Sequence, residues 1–175
     1  MKNNDAHGVS VKPVVRLLVL PMALAMIGVV PDARAAPVSW VLDADGNWAT
    51  ATNWSSNPLL PGAADAVTID VGGATLRTIT FSSGSSMISS LTSAENLIVS
   101  GGTLAASGAF DNTAATTISG SGTLTLNGVS NLSMLTQGGG TIGGSGSLTI
   151  TDASTWSGGS QIDAGSTSFN GPLTL

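Results

Sequence analysis

Apolar and polar residues alternate in short runs after residue 64, and Gly and Ser separate these runs. The two clearest runs, 118–126 and 142–150, share one pattern at a fixed offset (142 − 118 = 24). Strict alternation is typical of β-strands, and a fixed period in the twenties is typical of stacked repeats. The pattern therefore predicts a parallel β-helix over 64–175, with about 24 residues per rung and roughly four to five rungs.

This spacing also predicts which residues stack on each other. Leu124 should lie directly below Leu148 inside the helix. Thr125 should lie below Thr149 on the outside, because neighbouring residues of a strand face opposite sides. The main alternative fold is a β-sandwich, in which Leu124 would lie beside an antiparallel strand instead.

The first part of the chain has the pattern of a targeting segment. Basic residues precede an uninterrupted run of mostly apolar residues over 17–30, and an Ala-x-Ala site follows at 33–35. A transmembrane anchor is the alternative, but this run is short for crossing a bilayer and contains Pro21. We therefore interpret residues 1–35 as a cleavable signal peptide.

The segment 36–63 contains three of the four tryptophans, Trp40, Trp48 and Trp54. The first coil of a solenoid exposes apolar core and unpaired strand edges, which an atypical terminal unit must cover. Aromatic residues can do so because each buries a large area. We therefore predict an N-terminal cap here. The functional alternative is an aromatic platform, in which the three indoles stack on sugar rings.

Asp43, Asp45 and Asn47 form a short acidic pattern with a faint likeness to a calcium loop. A calcium loop of the EF-hand type requires further oxygen ligands and a distal Glu. Trp54 stands where that Glu would be. A plain turn therefore competes with a weak cation-binding loop at this place, and we predict no metal site.

Charge and residue types narrow the possible functions. Without residues 1–35 the chain keeps one of five basic residues, Arg77, and eight of ten acidic residues, so its net charge is 1 − 8 = −7. Nucleic acid binding requires clustered Lys or Arg, and anionic membrane surfaces would repel this charge. We expect neither nucleic acid as a partner nor membrane insertion by residues 36–175.

Catalytic chemistry is also restricted. Residues 36–175 contain no His, Lys, Cys or Tyr, so they provide neither the Ser-His-Asp arrangement nor the usual zinc ligands. Paired carboxylates such as Asp152 and Asp163 are the remaining acid–base option. We predict a protein without enzymatic activity or cofactor. A polysaccharide-degrading β-helix enzyme is a remote alternative.

Several short motifs resemble the start of known exported bacterial proteins. They are Gly46-Asn47-Trp48, Asn53-Trp54, Pro61-Gly62 and the strand pattern 65–69. In this order they resemble autotransporter and haemagglutinin-like passengers and proteins that carry PEP-CTERM sorting tails. The resemblance implies a right-handed parallel β-helix that is exported to the cell surface, the outer membrane or the extracellular space.

The same resemblance implies a function and a longer protein. We expect an adhesin or surface-interaction module, whose partners are glycans or matrix proteins of a host or neighbouring cell. A structural scaffold of the extracellular matrix or surface layer is the alternative. The run that ends at Leu175 is not followed by a cap. We therefore expect further repeats and a translocator or sorting tail beyond it.

Overall fold

The computed structural model describes residues 36–162 and 165–175. It is an all-β parallel solenoid of about five turns, which confirms the predicted fold class and number of rungs. The predicted signal peptide lies outside the described residues. One short 3₁₀ turn, Ala51–Asn53, is the only helical element in the described part of the chain, which contains no helix long and apolar enough to cross a membrane.

The described residues contain fifteen strands, and their bounds follow. They are β1 (Ala36–Ser39), β2 (Gly46–Asn47), β3 (Asp65–Ile69), β4 (Thr78–Phe81), β5 (Ser85–Ile88), β6 (Ser90–Ser93), β7 (Asn96–Val99), β8 (Thr103–Ala106), β9 (Phe110–Ile118), β10 (Thr123–Leu126), β11 (Ser130–Gly143), β12 (Ser147–Ile150), β13 (Ser154–Gln161), β14 (Ser166–Phe169) and β15 (Leu173–Thr174).

The strands lie on three faces, and every pairing between described strands is parallel. Face A contains β1, β3, β6, the start of β9, the start of β11, β12 and β14. Face B contains β2, β4, β7, the end of β9, the middle of β11, the start of β13 and β15. Face C contains β5, β8, β10 and the ends of β11 and β13. The sandwich alternative is therefore wrong.

The predicted rung length is also wrong for most coils. On face C, Leu124 pairs with Leu104 (124 − 104 = 20) and with Ile142 (142 − 124 = 18). Leu148 lies on face A and pairs with Ser130. The repeated phrase has a longer offset because it covers one coil, from Leu124 to Ile142, and then the step from face C to face A that ends at Leu148.

The predicted threonine stack changes with this register. Thr125 pairs with Gly143 on face C, and Thr149 pairs with Asn131 on face A, so the two threonines do not stack. A different column of four threonines exists on face B. It consists of Thr117, Thr136, Thr155 and Thr174.

Alternation places the apolar residues inside every face. Leu104, Leu124 and Ile150 have no exposed surface, whereas their strand neighbours Thr103 and Thr149 are partly exposed. The buried apolar residues form one continuous cluster through the coils. Burial of this cluster is the main stabilising term, since apolar burial contributes about 25 cal/mol per Å².

Glycine columns form two of the three corners. At the corner from face C to face A, Gly108, Gly128, Gly146 and Gly165 lie in successive coils. A Cβ atom on Gly146 would lie 2.0 Å from the carbonyl oxygen of Gly128. At the corner from face B to face C, Gly140 has a φ of 64°, a conformation that glycine adopts without steric cost. The excess of glycine therefore follows from close stacking of the corners.

The corner from face A to face B is formed by polar side chains instead. Within the continuous strand β9, the buried Asn112 donates from Nδ2 to Thr116 Oγ1 at 2.9 Å and accepts a bond from the Ala114 N–H at 3.0 Å. Buried polar groups are stable when they are hydrogen-bonded in this way. The outer side of this corner holds the groove described below.

Candidate functional site

The three cap tryptophans form a packed cluster. Trp54 lies between Trp40 and Trp48, with ring centroids 5.0 and 4.7 Å apart in edge-to-face arrangements. Trp48 also contacts Phe81 at 5.9 Å, which joins the cluster to the first coil. Each indole is at most 3% exposed. The interpretation of these residues as an aromatic sugar-binding platform is therefore wrong, because no indole face is accessible.

Hydrogen bonds fix two of the three indoles. Trp54 Nε1 donates to the Trp48 carbonyl oxygen at 2.8 Å, and Trp40 Nε1 donates to the Leu42 carbonyl oxygen at 2.7 Å. Trp48 Nε1 is buried and has no partner among the described residues. Gly46 packs closely against this cluster, since a Cβ atom there would lie 2.8 Å from Trp40 Cζ2. These contacts are those of a compact cap.

The three side chains of the alternative cation-binding loop make contacts within the protein. Asp43 Oδ1 accepts from Arg77 Nη2 at 2.7 Å, and Asp45 Oδ1 accepts from the Thr78 N–H at 2.7 Å. Asn47 donates from Nδ2 to Ser82 Oγ at 2.8 Å. All three side chains attach the cap to face B of the first coil. The positive charge of Arg77 beside Asp43 would oppose a cation at this loop.

Arg77, the sole basic residue after residue 35, also has an internal role. Its backbone N–H donates to the buried carboxylate of Glu95, while its guanidinium binds Asp43. One residue therefore connects the cap, the first coil and the second coil. The pair with Asp43 is partly exposed, and pairs of this kind contribute little stability.

Face A carries an open groove that is lined mainly by polar residues. It has a volume of about 430 Å³ and lies outside the corner between faces A and B. We call it the face A groove. Its lining residues are Asp111, Asn112, Thr113, Asn131, Leu132, Ser133 and Thr151.

Hydrogen bonds between coils position the groove side chains. Asn131 Nδ2 donates to Asp111 Oδ1 at 2.8 Å, and the two residues are register partners in β11 and β9. Ser133 Oγ donates to Asp152 Oδ2 at 2.6 Å, across to the next coil. The second oxygen of each carboxylate accepts no hydrogen bond from the described residues. Asp111 in the groove and Asp152 beside it therefore each keep one oxygen available as an acceptor.

A second cavity, of about 250 Å³, lies between the late coils of faces C and A. Glycines line much of it, together with Leu126, Ile142, Leu148 and Gln161. Its polar side chains are Gln161, Ser166 and Thr167, and none of the described residues that line it is ionisable.

No family model, curated protein or solved structure matches this chain.

Sequence reasoning missed the face A groove. Asp111 and Asn131 are one coil apart (131 − 111 = 20) and meet only through the register of β9 and β11. The spacing of the corner glycines indicates this register. Glycines at 108, 128, 146 and 165 are 20, 18 and 19 residues apart, which matches the length of the coils. The repeated phrase has a longer offset of 24 residues and therefore predicted a different register.

Proposed function

We propose that the chain is an exported β-helix passenger that acts as a cell-surface interaction module or adhesin, without catalysis. The signal-peptide pattern at 1–35 supports export. The motifs at 46–48, 53–54 and 61–62 support a place among autotransporter, haemagglutinin-like or PEP-CTERM-type surface proteins. In this proposal the protein resides on the cell surface or outer membrane, or in the extracellular space.

The face A groove is the observation that carries the proposed binding role. It combines two amides, three hydroxyls and one carboxylate with a buried apolar floor at Leu132. Concave sites with a few convergent polar groups are the default location for ligands. Glycans or matrix proteins of neighbouring cells are the partners that this surface chemistry fits.

The experiment compares cells that display the full protein with cells that display an Asn131→Ala variant. We expect the wild type to bind glycan arrays, host cells or immobilised matrix proteins, and the variant to bind less. Thr136→Ala is the matched control, because Thr136 is also exposed and lies on face B of the same strand. Protease treatment of intact cells reports whether the protein reaches the surface.

Two outcomes would contradict this proposal. Protein that stays protected from protease inside intact cells would exclude surface exposure. Binding at background level by displayed wild-type protein, together with altered envelope or biofilm integrity on gene deletion, would favour the structural scaffold instead.

A further inference from the structure

We propose that the face A groove binds a linear, uncharged glycan that lies along the solenoid axis and crosses successive coils. This inference rests on the proposed function, because it names the ligand class of the same groove. It follows from the stacking of the polar side chains, from their hydrogen-bonding capacity and from the charge around them.

A continuous column of polar side chains runs along face A, through the groove. Its members, which we call the face A column, are Thr68, Thr92, Asp111, Asn131, Thr149 and Ser168. Each is paired in register with the next, so the step along the axis is about 4.8 Å. This step is close to the length of one pyranose unit in an extended glycan. A chain along the axis therefore meets one hydrogen-bonding side chain per sugar.

The hydrogen-bonding capacity of the groove and of the side chains next to it fits hydroxyl groups. Asp111 and Asp152 each have one carboxylate oxygen that accepts from Asn131 or Ser133. Their other oxygens can accept from sugar hydroxyls. Thr149 and Asn131 can both donate and accept. A hydroxyl can match either kind of partner, whereas a ligand with acceptors alone would leave the carboxylates unpaired.

The charge of the groove selects against anionic glycans. Asp111 lines the groove, Asp152 is bonded to its Ser133, and both are acidic. Arg77 is the one basic residue in the described chain, and it is bound to Asp43 in the cap. An anionic sugar would therefore face negative charge with no compensating cation. A cationic polymer is the competing ligand, and the salt dependence of binding separates it from a neutral one.

The first test measures the affinity of the purified full-length protein for neutral β-linked oligosaccharides, from disaccharide to hexasaccharide. We use cello-, xylo- and manno-oligosaccharides, with oligogalacturonate as the anionic probe and chitosan oligomers as the cationic probe. Affinity should rise with chain length for at least one neutral series and should change little with salt. Oligogalacturonate should not bind.

The second test examines orientation with Thr92→Ala and Thr149→Ala. These residues are three strand steps apart on face A, or about 14 Å. Each substitution should weaken binding of the hexasaccharide by about 2- to 10-fold, the effect of one neutral hydrogen bond. No disaccharide should respond to both. Thr136→Ala on face B should leave the affinity unchanged.

Several results would overturn the inference while the proposed function stands. They are equal affinity for disaccharide and hexasaccharide, preference for chitosan with a steep loss in salt, or binding of anionic glycans or matrix proteins through Asn131. A hexasaccharide that responds to Thr136→Ala but not to Thr92→Ala would place the ligand across the faces instead. Failure to bind any glycan, cell or matrix protein would reject the proposed function itself.

Discussion

Gly146 stands at a corner where the backbones of successive coils are in contact. Alanine there would place Cβ 2.0 Å from the Gly128 carbonyl oxygen, so the backbone must move. Gly138 is the matched control, because the nearest atom to its Cβ position is Ser157 Oγ at 3.8 Å. We expect Gly146→Ala to lower the free energy of unfolding by about 1–3 kcal/mol, and Gly138→Ala to change it by less than about 0.5 kcal/mol. Urea denaturation measures both. Equal stability of the two variants would show that the corner has more space than this geometry allows.

The cap tryptophans allow a second comparison between single residues. Trp54 and Trp48 are both 1% exposed, but only the Trp54 indole N–H has a hydrogen-bond partner in the described chain. Both Trp→Phe substitutions leave a small cavity. Trp54→Phe also removes a bond to the Trp48 carbonyl oxygen, so it should cost about 1 kcal/mol more than Trp48→Phe. Thermal unfolding of the two variants tests this difference, and a larger loss for Trp48→Phe would contradict it.

At the scale of the strands, the sequence was sufficient for the type of fold but not for its register. The phrase around Leu124 and the phrase around Leu148 meet the same local requirement. Each is a glycine corner followed by a short strand with apolar residues inside. They belong to different faces, C and A, so their similarity does not report the coil length. Local pattern indicates strand and turn, while register depends on which corners stack.

The groove was less predictable than the fold for the same reason. Its residues come from three coils, and none belongs to a recognisable motif. Asp111 becomes a candidate binding residue only because the register places Asn131 beside it. The tryptophans allowed two hypotheses, a cap and a sugar-binding platform, because aromatic residues occur both in cores and in sugar sites. Their burial in the structure shows that they belong to the core of the cap.

The register itself can be tested with engineered disulfides, because the chain contains no cysteine. Thr123 and Thr141 are register partners on the outside of face C. Adjacent strands are about 4.8 Å apart, within the Cα separation that a disulfide allows. The pair Thr123→Cys and Thr141→Cys should therefore cross-link within one molecule under mild oxidation.

The control pair is Thr125→Cys and Thr149→Cys, which the offset of the repeated phrase would place together. In the structure these residues lie on faces C and A and have other partners. They should remain free thiols within the monomer. Thiol labelling with mass spectrometry distinguishes the two outcomes, and the opposite result would restore the register that the repeated phrase suggested.

At the scale of the whole molecule, a solenoid is held together by contacts between neighbouring coils, so its stability is local. Leu124 has no exposed surface and pairs with Leu104 and Ile142 in the adjacent coils. Leu124→Ala should cost about 2–5 kcal/mol. In a one-dimensional array this loss acts on the altered coil and its neighbours. The cap strand β1 and the first coil should keep most of their stability.

Native-state hydrogen exchange resolves this prediction along the chain. Amides of β8, β10 and the end of β11 should exchange faster in Leu124→Ala, while those of β3 should keep their protection. Val129→Ala is the control, because Val129 is 66% exposed and its truncation should not change exchange. Equal acceleration at β3 and β10 would mean that the coils unfold as one cooperative unit. In that case the face A groove would depend on the integrity of the whole solenoid. With local unfolding, the cap would persist while the groove between β9 and β11 is lost.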